Sequence, residues 1–255
     1  MIRLPRLDDD APERFPDPAR ALAEPDGLLA FGGDLSPARL LAAYRRGIFP
    51  WYGEGQPILW WSPDPRCVFD TATLKPNRSL RRLLARTAWR FSVDRAFRQV
   101  IEACAAPRGD GAGTWLVPAM IDAYTGLHVL GHAHSVEIWD ADARLAGGIY
   151  GVAVGRLFCG ESMFSRASGG SKAALMVLAA LLRAWDVPLL DAQVANPHLR
   201  SLGARELPRT DFLATVRELG ARPCPARAWS DTGLHALQDI LPDCSPLSRR
   251  ERGRG

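Results

Sequence analysis

The order of elements in the middle of this chain is set by residues 144–185, which read RLAGGIYGVAVGRLFCGESMFSRASGGSKAALMVLAALLRAW. Two apolar segments, 144–155 and 156–164, are bounded by turn residues and predict strands. A glycine-serine turn and a long apolar segment follow, which predict a buried helix. VPLLDAQV, at 187–194, predicts another strand. We therefore expect this strand to lie parallel to its neighbour, joined to it by a right-handed crossover through the helix.

The flanking segments extend this pattern to an α+β fold. Ser36 and Pro37 are typical of a helix start. We predict further helices at 77–91, at 94–106 and from Pro118 to residue 133, the last followed by a strand, HSVEIWD. We divide the chain into a small N-terminal α/β domain at 1–108, a second domain at 109–245 and a disordered tail at 246–255.

Composition narrows the class of protein. The chain has 255 residues, of which 47% are hydrophobic and 24% charged, as in soluble globular proteins. Its longest apolar segments are shorter than the roughly 18 residues of a membrane span, and the N-terminal residues lack the apolar core of a signal peptide. The five cysteines form no CxxC pair, which is typical of reduced thiols. We expect a cytoplasmic protein without a membrane contact.

Two acids are the first candidates for chemistry. Glu161 and Asp191 each follow an apolar strand, and ligand crevices lie at the carboxyl ends of such strands. Gln193 comes two residues after Asp191, so on an extended strand both side chains point to one face. Either acid could also be an exposed surface residue. Asn196 offers a second amide or a helix cap.

Three other patterns point to ligands. The turn at Arg166, Gly169 and Ser171 resembles the pyrophosphate turn of acetyl-CoA-dependent acetyltransferases, although it could be a plain helix cap. Four tryptophans lie in loop-like segments, and two other apolar side chains flank Glu161. Each of them could line a pocket or pack in the core: Trp51, Trp60, Trp61, Trp115, Phe158 and Met163. Among three histidines, His128, His132 and His134, the first two have the i, i+4 spacing of a zinc site, but Gly131 is expected to end the helix and no third ligand is near, so we expect no metal.

An arginine-rich face is the strongest sign of nucleic acid. Five arginines occur between residues 71 and 93, where the sequence contains no acid: Arg78, Arg81, Arg82, Arg86 and Arg90. A solvated helix face normally mixes the two signs of charge. The guanidinium group pairs bidentately with phosphate, so this face predicts contacts to a phosphate backbone. The alternative is a solvent-exposed helix face that binds no ligand.

Together these segments resemble the leucyl/phenylalanyl-tRNA–protein transferase family. The resemblance extends over about residues 20–215 and rests on GLLAFGGDLSPARLLAAYRRGIFPWY, ILWWSPDPRCVF, GTWL, AYTGLHVLGHAHSVEIWD, LAGGIYGVAVGRLFCGESMFSR with SKAAL, and LLDAQVANPHLRSLGARELPR. It implies a bacterial cytoplasmic enzyme of the N-end rule with an acetyltransferase-like C-terminal domain and no cofactor. Such an enzyme moves Leu, Phe or Met from aminoacyl-tRNA to the N-terminal Arg or Lys of a protein, which marks that protein for degradation.

The resemblance also implies roles for residues. Asp191 and Gln193 are expected at the catalytic centre, where Gln193 accepts a hydrogen bond from the amine or donates one to the oxyanion. Glu161 is expected beside them, on the donor's ammonium or ribose or on the acceptor's cationic side chain. The amino-acid pocket is expected to be lined by Trp51, Trp115, Ile149, Phe158 and Met163. The five arginines would hold the tRNA.

Two rival functions remain open at this point. A CoA-dependent acyltransferase is favoured by the turn from Arg166 to Ser171. The other is a non-enzymatic RNA-binding module, which predicts that substitution of Asp191 leaves function intact. Two features depart from the family pattern, a more glycine-rich turn at ASGG and the tail SPLSRRERGRG.

Overall fold

The computed structural model of this chain describes residues 4–107, 116–225 and 228–244. Its first sheet has four short strands in the spatial order β1-β2-β4-β3, and β1 and β2 are parallel. The elements of this part, in chain order, are β1 (Arg6–Leu7), β2 (Leu28–Gly32), α1 (Pro37–Tyr44), β3 (Phe49–Pro50) and β4 (Leu59–Trp61).

Helix α1 begins where the sequence predicts. Ser36 Oγ accepts the N–H of Arg39 at 3.4 Å, and Pro37 is the first helical residue. The helix ends at Tyr44, and the chain turns through Gly47, whose φ is 70°. A Cβ at Gly47 would lie 2.7 Å from the Leu213 side chain, so the turn requires glycine both for its backbone conformation and for space.

The second sheet has eight strands in the order β11-β5-β10-β9-β8-β7-β6-β12. Its strands and the helices around it are β5 (Arg66–Asp70), α2 (Arg78–Leu84), β6 (Arg90–Val93), α3 (Phe97–Ala105), α4 (Pro118–Val129), β7 (Ala133–Trp139), β8 (Leu145–Val154), β9 (Leu157–Ser165), α5 (Gly170–Ala184), β10 (Leu189–Gln193), α6 (Pro197–Ser201), β11 (Arg205–Leu207), α7 (Arg209–Gly220), β12 (His235–Ala236) and α8 (Leu237–Ile240). Among the described residues, no helix has the length and apolar character needed to cross a bilayer.

The centre of this sheet confirms the predicted order of elements. Strands β7, β8 and β9 form an antiparallel meander, and β10 lies parallel to β9 across helix α5. Strand β5 pairs antiparallel with the other side of β10. The mixed sheet and its helices give the mixed α/β architecture expected from the sequence. The domain boundary expected at residue 108 stays a prediction, and the tail at 246–255 lies outside the described residues.

The central strands of the large sheet are buried on both faces. Neighbouring residues of one strand, such as Ile149 and Tyr150, belong to two different apolar clusters because successive side chains point to opposite faces. Residues of α1, α3, α4 and α7 belong to the cluster that contains Tyr150, while residues of α2, α5 and α8 belong to the cluster that contains Ile149. Burial on both faces explains why these strands read as nearly continuous apolar segments.

The predicted arginine helix at 77–91 is too long. Asn77 Oδ1 caps α2 by accepting the N–H of Leu80 at 2.9 Å, but the helix ends at Leu84. Residue 90 already begins β6, where Phe91 pairs with Ile138 of β7 and is buried. Pairing within the sheet therefore overrides the helical preference of this segment. Helix α7 is an addition to the predicted elements.

Candidate active site

A cleft of about 870 Å³ lies at the ends of β9 and β10. Most of its wall is apolar, with Phe49, Trp51 and Met163 among the contributors, and Glu161 and Gln193 are among its polar groups. The other lining residues are Pro50, Ser162, Ser171, Ala192, Val194, Ala195, Asn196, Pro197, His198 and Leu199. A mainly apolar cavity of this size with a few placed polar groups is typical of a site for a small organic group.

Gln193 and Glu161 meet at this cleft. Gln193 Nε2 donates a hydrogen bond to Glu161 Oε1 at 3.0 Å. An ionised carboxylate can only accept hydrogen bonds, so the –NH₂ group of Gln193 must face Glu161 while that acid is charged. The amide oxygen of Gln193 is thereby left for a ligand.

Two tyrosines hold the other oxygen of the same acid. Tyr124 donates its hydroxyl to Glu161 Oε2 at 2.9 Å, and the hydroxyls of Tyr44 and Tyr124 lie 2.5 Å apart. Both tyrosines are buried. Burial raises the pKa of Glu161 to about 7, although the hydrogen bonds from the tyrosines act in the opposite direction. Glu161 therefore changes its charge near neutral pH.

Asp191 is fully buried and holds the main chain of Gln193. Its Oδ1 accepts the backbone N–H of Gln193 at 3.0 Å, and its two oxygens accept hydrogen bonds from Arg66 Nε and Nη2 at 2.8 and 2.7 Å. The pairing of β10 with β5 shifts register between Asp191 and Gln193, and Gln193 has a φ of 55°. Gln193 therefore does not lie on a regular extended strand, and the expectation that the two side chains share one face stays a prediction. From this left-handed backbone, the Gln193 amide reaches Glu161 and the cleft.

Arg66 joins this acid to the first part of the chain. Its side chain is 1% exposed, and its guanidinium carbon lies 4.8 Å from the Phe49 ring centroid and 4.5 Å from that of Phe212. Arg66 Nη1 donates to the carbonyl oxygen of Gly47 at 3.0 Å. The guanidinium is therefore bonded to the turn after α1 on one side and to Asp191 of β10 on the other.

The expected pocket residues are not all found together. Trp51 and Met163 line the cleft, and Trp51 packs on Trp61 with ring centroids 5.6 Å apart. Phe158 and Ile149 are buried in the core, where Phe158 stacks on Trp229. Their role as pocket residues stays a prediction. Trp115 lies outside the described residues.

The five arginines divide into two environments. Arg78, Arg82 and Arg86 are exposed. Arg81 is half-buried and donates to the Pro76 carbonyl oxygen at 2.7 Å. Arg90 is exposed on β6 and donates to the Leu234 carbonyl oxygen at 2.8 Å. The first three are the most accessible to a phosphate backbone.

The turn before α5 is occupied largely by its own contacts. Gly169 has a φ of 87° and precedes the helix. The backbone N–H of Gly170 donates to Ala167 O at 2.9 Å, and that of Ser171 donates to Ser165 Oγ at 2.8 Å. Two of the amide groups that could bind a pyrophosphate are thus already used.

Two of the three histidines have structural environments. His134 Nδ1 lies 2.7 Å from Asp94 Oδ2, and its ring stacks on Trp229. His128 stacks on Phe97 with ring centroids 4.2 Å apart. Within the described part of the chain, no group of three or more His, Cys, Asp or Glu residues could hold a metal ion.

The sequence interpretation missed three residues of the site. Tyr44 and Tyr124 lie on the apolar faces of predicted helices, and nothing in the sequence indicates that their hydroxyls belong to a functional site. Arg66 is the first residue of β5 and lies 125 residues before its partner Asp191. Only the fold brings these buried groups to Glu161 and Asp191.

The family profiles and the curated relatives that match this chain all carry the name of one family. The family profile described as leucyl/phenylalanyl-tRNA protein transferase matches residues 68–217, and the profile of that family's N-terminal domain matches residues 33–64. The transferase of the same name from Xanthomonas euvesicatoria pv. vesicatoria is 58% identical over 92% of this chain and 94% of its own length. Those from Alkalilimnicola ehrlichii and Aeromonas hydrophila subsp. hydrophila are 55% and 53% identical, over 90% and 89% of this chain and over 89% and 95% of their own lengths.

Among solved structures, the one described as "The structure of L-PGS from Bacillus licheniformis" is 12% identical to this chain with a TM-score of 0.37. The match covers 66% of this chain and 53% of the chain in that structure. So distant a similarity supports no argument about the fold. The sequence relationships are much stronger, because they combine high identity with nearly complete coverage. This chain therefore belongs to the leucyl/phenylalanyl-tRNA protein transferase family.

Proposed function

We propose that this chain is an aminoacyltransferase that moves leucine, phenylalanine or methionine from aminoacyl-tRNA to the N-terminal Arg or Lys of an acceptor protein. The observation that carries the proposal is the apolar cleft whose wall includes the Gln193–Glu161 pair. The product carries a new peptide bond and is marked for degradation. Because charged tRNA is a cytoplasmic substrate, we place the reaction in the cytoplasm.

The chemistry requires a neutral amine in contact with an ester. The acceptor's α-amine attacks the ester carbon, a peptide bond forms, and the ribose oxygen of the tRNA leaves. An α-amino group has a pKa of about 8, so roughly a tenth of it is neutral at pH 7. Holding amine and ester together in attack geometry is worth about 7–11 kcal/mol.

Gln193 is the residue that we assign to the attacking amine. Its amide oxygen accepts a hydrogen bond from the amine N–H, since its –NH₂ group is engaged by Glu161. This orients the nitrogen lone pair towards the ester carbon. A side-chain amide is too weak a base to remove the proton completely, so the departing ribose oxygen takes it up.

Glu161 and Asp191 support Gln193 in different ways. Glu161 fixes the amide group, and Asp191 fixes the backbone that carries it. The oxygens of Glu161 have further lone pairs, with which the acid can also accept a hydrogen bond from the donor's ammonium group or the acceptor's cationic side chain.

The apolar wall suits the amino acids proposed as donors. Phe49, Trp51 and Met163 present apolar surface, and methionine adapts its shape to different ligands. An apolar pocket discriminates one methylene by only about 1–3 kcal/mol. Leu, Phe and Met can therefore share one site.

The exposed arginines are proposed to bind the tRNA. Arg78, Arg82 and Arg86 can pair with phosphate oxygens without reading base sequence. Arg81 and Arg90 keep bonds to their own chain and are expected to contribute less.

An acetyltransferase-like fold for the C-terminal part is also a proposal. It is supported by the parallel pair β9–β10, the helix α5 between them and the glycine turn before that helix. A CoA donor is disfavoured because the N–H groups of Gly170 and Ser171 are already bonded.

A transfer assay with two donors tests the proposal. The purified chain is given radiolabelled Leu-tRNA or acetyl-CoA together with a peptide that begins with Arg, and the same peptide with a blocked N-terminus serves as control. We expect label on the free peptide from Leu-tRNA alone. Transfer from acetyl-CoA alone would establish the rival acyltransferase, and tRNA binding without any transfer would favour an RNA-binding module.

A further inference from the structure

Two series of hydrogen bonds, called routes here, connect Arg66 to Gln193. One route runs along the main chain: Arg66 binds both oxygens of Asp191, and Asp191 accepts the N–H of Gln193. The other begins at the turn after α1: Arg66 donates to the Gly47 carbonyl oxygen, and the N–H of Gly47 donates to the carbonyl oxygen of Tyr44 at 3.1 Å.

The second route returns to the same amide. The hydroxyl of Tyr44 contacts that of Tyr124, Tyr124 donates to Glu161, and Glu161 accepts from Gln193 Nε2. Both ends of Gln193, its backbone nitrogen and its side-chain nitrogen, are thus connected to one guanidinium group.

We propose that Arg66 is a positioning residue for the transfer reaction, which sets the place and direction of the Gln193 amide without touching either substrate. This inference rests on the proposed function. It adds a residue from β5, far from β10 in sequence, to those that determine the rate of the chemical step.

The site demands an arginine. The bidentate bond to Asp191 uses the planar fork of the guanidinium group, which the ammonium group of lysine cannot reproduce. The guanidinium also lies against the rings of Phe49 and Phe212, and flat cations stack well on aromatic faces. Lysine retains the charge opposite Asp191 but loses one of the two bonds and the stacking.

The left-handed backbone of Gln193 makes such support necessary. A φ of 55° is uncommon for a residue with a side chain and persists only where neighbouring contacts hold it. If Asp191 shifts, the N–H bond that holds this backbone lengthens, and the amide moves relative to the cleft. A displacement of about 1 Å can cost on the order of 10²-fold in rate.

The test compares two arginines of equal burial. Arg66→Lys is made beside Arg39→Lys, because Arg39 is 0% exposed, binds the Asp8 carbonyl oxygen at 2.6 Å and lies 3.4 Å from Asp34. Both variants are assayed for thermal midpoint, kcat and KM for Leu-tRNA. We expect Arg66→Lys to lower kcat on the order of 10²-fold with KM within about threefold of the parent, and Arg39→Lys to keep kcat within about twofold at a comparable midpoint.

Three results would overturn the inference: an Arg66→Lys kcat within about twofold of the parent, a loss carried by KM instead of kcat, or an equal loss of kcat in Arg39→Lys. If Arg66→Lys does not fold, Phe212→Leu replaces it, since that change removes one stacking ring and keeps the bond to Asp191. We expect a lower kcat at constant KM, and an unchanged kcat overturns the inference. A parent protein without transfer activity would instead contradict the proposed function.

Discussion

Gln193 Nε2 lies 3.0 Å from Glu161 Oε1, and this contact links the amide of β10 to an acid of β9. The other oxygen of Glu161 accepts the hydroxyl of Tyr124. Glu161 is therefore hydrogen-bonded to a tyrosine through one oxygen and to the amide through the other, and we propose that the charge of this carboxylate controls the orientation of Gln193. The following predictions test this control and the surfaces around it.

Replacement of Glu161 should change both the rate and its pH dependence. The pKa of Glu161 is raised to about 7, so its carboxylate forms as the pH rises through neutrality. Below that pH the protonated acid can donate to the Gln193 oxygen and turn it from the amine. We expect Glu161→Gln to lower kcat about 10²-fold at pH 8 and to remove the inflection near pH 7.

The amine itself ionises at a pKa of about 8, and this second inflection should remain in Glu161→Gln. Rates measured from pH 5.5 to 9 separate the ionisation of Glu161 from that of the amine. Persistence of the lower inflection in the variant would show that another group produces it.

Loss of the Tyr124 hydroxyl should move the same inflection upward. Tyr124 donates to the charged form of Glu161, so its removal raises the pKa of that acid further. We expect Tyr124→Phe to need a higher pH for half-maximal rate.

Tyr150→Phe is the matched control for Tyr124→Phe. Tyr150 is buried and packs on Tyr124 with ring centroids 5.7 Å apart, but its hydroxyl has no hydrogen-bond partner among the described residues. The pH profile of Tyr150→Phe should match that of the parent. Equal shifts in both variants would rule out the hydrogen bond as the cause.

The exposed arginines Arg78, Arg82 and Arg86 should make tRNA binding depend on the salt concentration. Arg82 is exposed, so its loss removes about one phosphate contact. We expect Arg82→Ala to reduce the slope of log Kd against log salt concentration by about 0.7–0.9. Arg144→Ala, at an exposed arginine paired with Asp142, should leave the slope unchanged. A parent affinity that does not vary with salt would contradict tRNA binding by these arginines.

A second buried acid should make stability depend on pH. Glu137 is fully buried between the hydroxyls of Ser92 and Ser135, and burial raises its pKa to about 7. The folded protein therefore binds this proton more tightly than the unfolded chain does. Its stabilising contribution is complete below about pH 4.5 and is lost as the pH rises through about 7.

Denaturant unfolding at pH 5 and pH 8 measures this effect. We expect Glu137→Gln to lose less free energy of unfolding between the two pH values than the parent does. Glu161, whose pKa is also raised to about 7, should leave part of the dependence in the variant. An identical loss in parent and variant would contradict the assignment to Glu137.

Local sequence predicted the parts of the fold that depend on local patterns. The segment around Glu161 has long apolar segments and clear turn residues, so its strands, its helix and the parallel strand at Asp191 follow from the sequence alone. The rule for strand ends selects Glu161 and Asp191, and the two-residue spacing from Asp191 adds Gln193. Residue 90 was assigned to a helix because nothing near it reveals that Phe91 pairs with Ile138.

The remaining site residues could not be predicted because their contacts join distant parts of the chain. Tyr44 and Tyr124 are 80 residues apart, and Arg66 and Asp191 are 125 apart. The pairing of β10 with β5 shifts register between Asp191 and Gln193, and the alternation of side chains in the sequence does not reveal this irregularity.

The most direct measurement is the single-turnover rate of Gln193→Ala with saturating Leu-tRNA and an acceptor peptide. Asn196→Ser is the matched control, because it removes another amide from the cleft wall while a serine can still cap α6. We expect Gln193→Ala to lower the rate about 10²–10³-fold with tRNA affinity within about twofold, and the control to stay within about threefold of the parent. A rate within twofold of the parent in Gln193→Ala, or a loss explained by weaker tRNA binding, would contradict the central role of this amide.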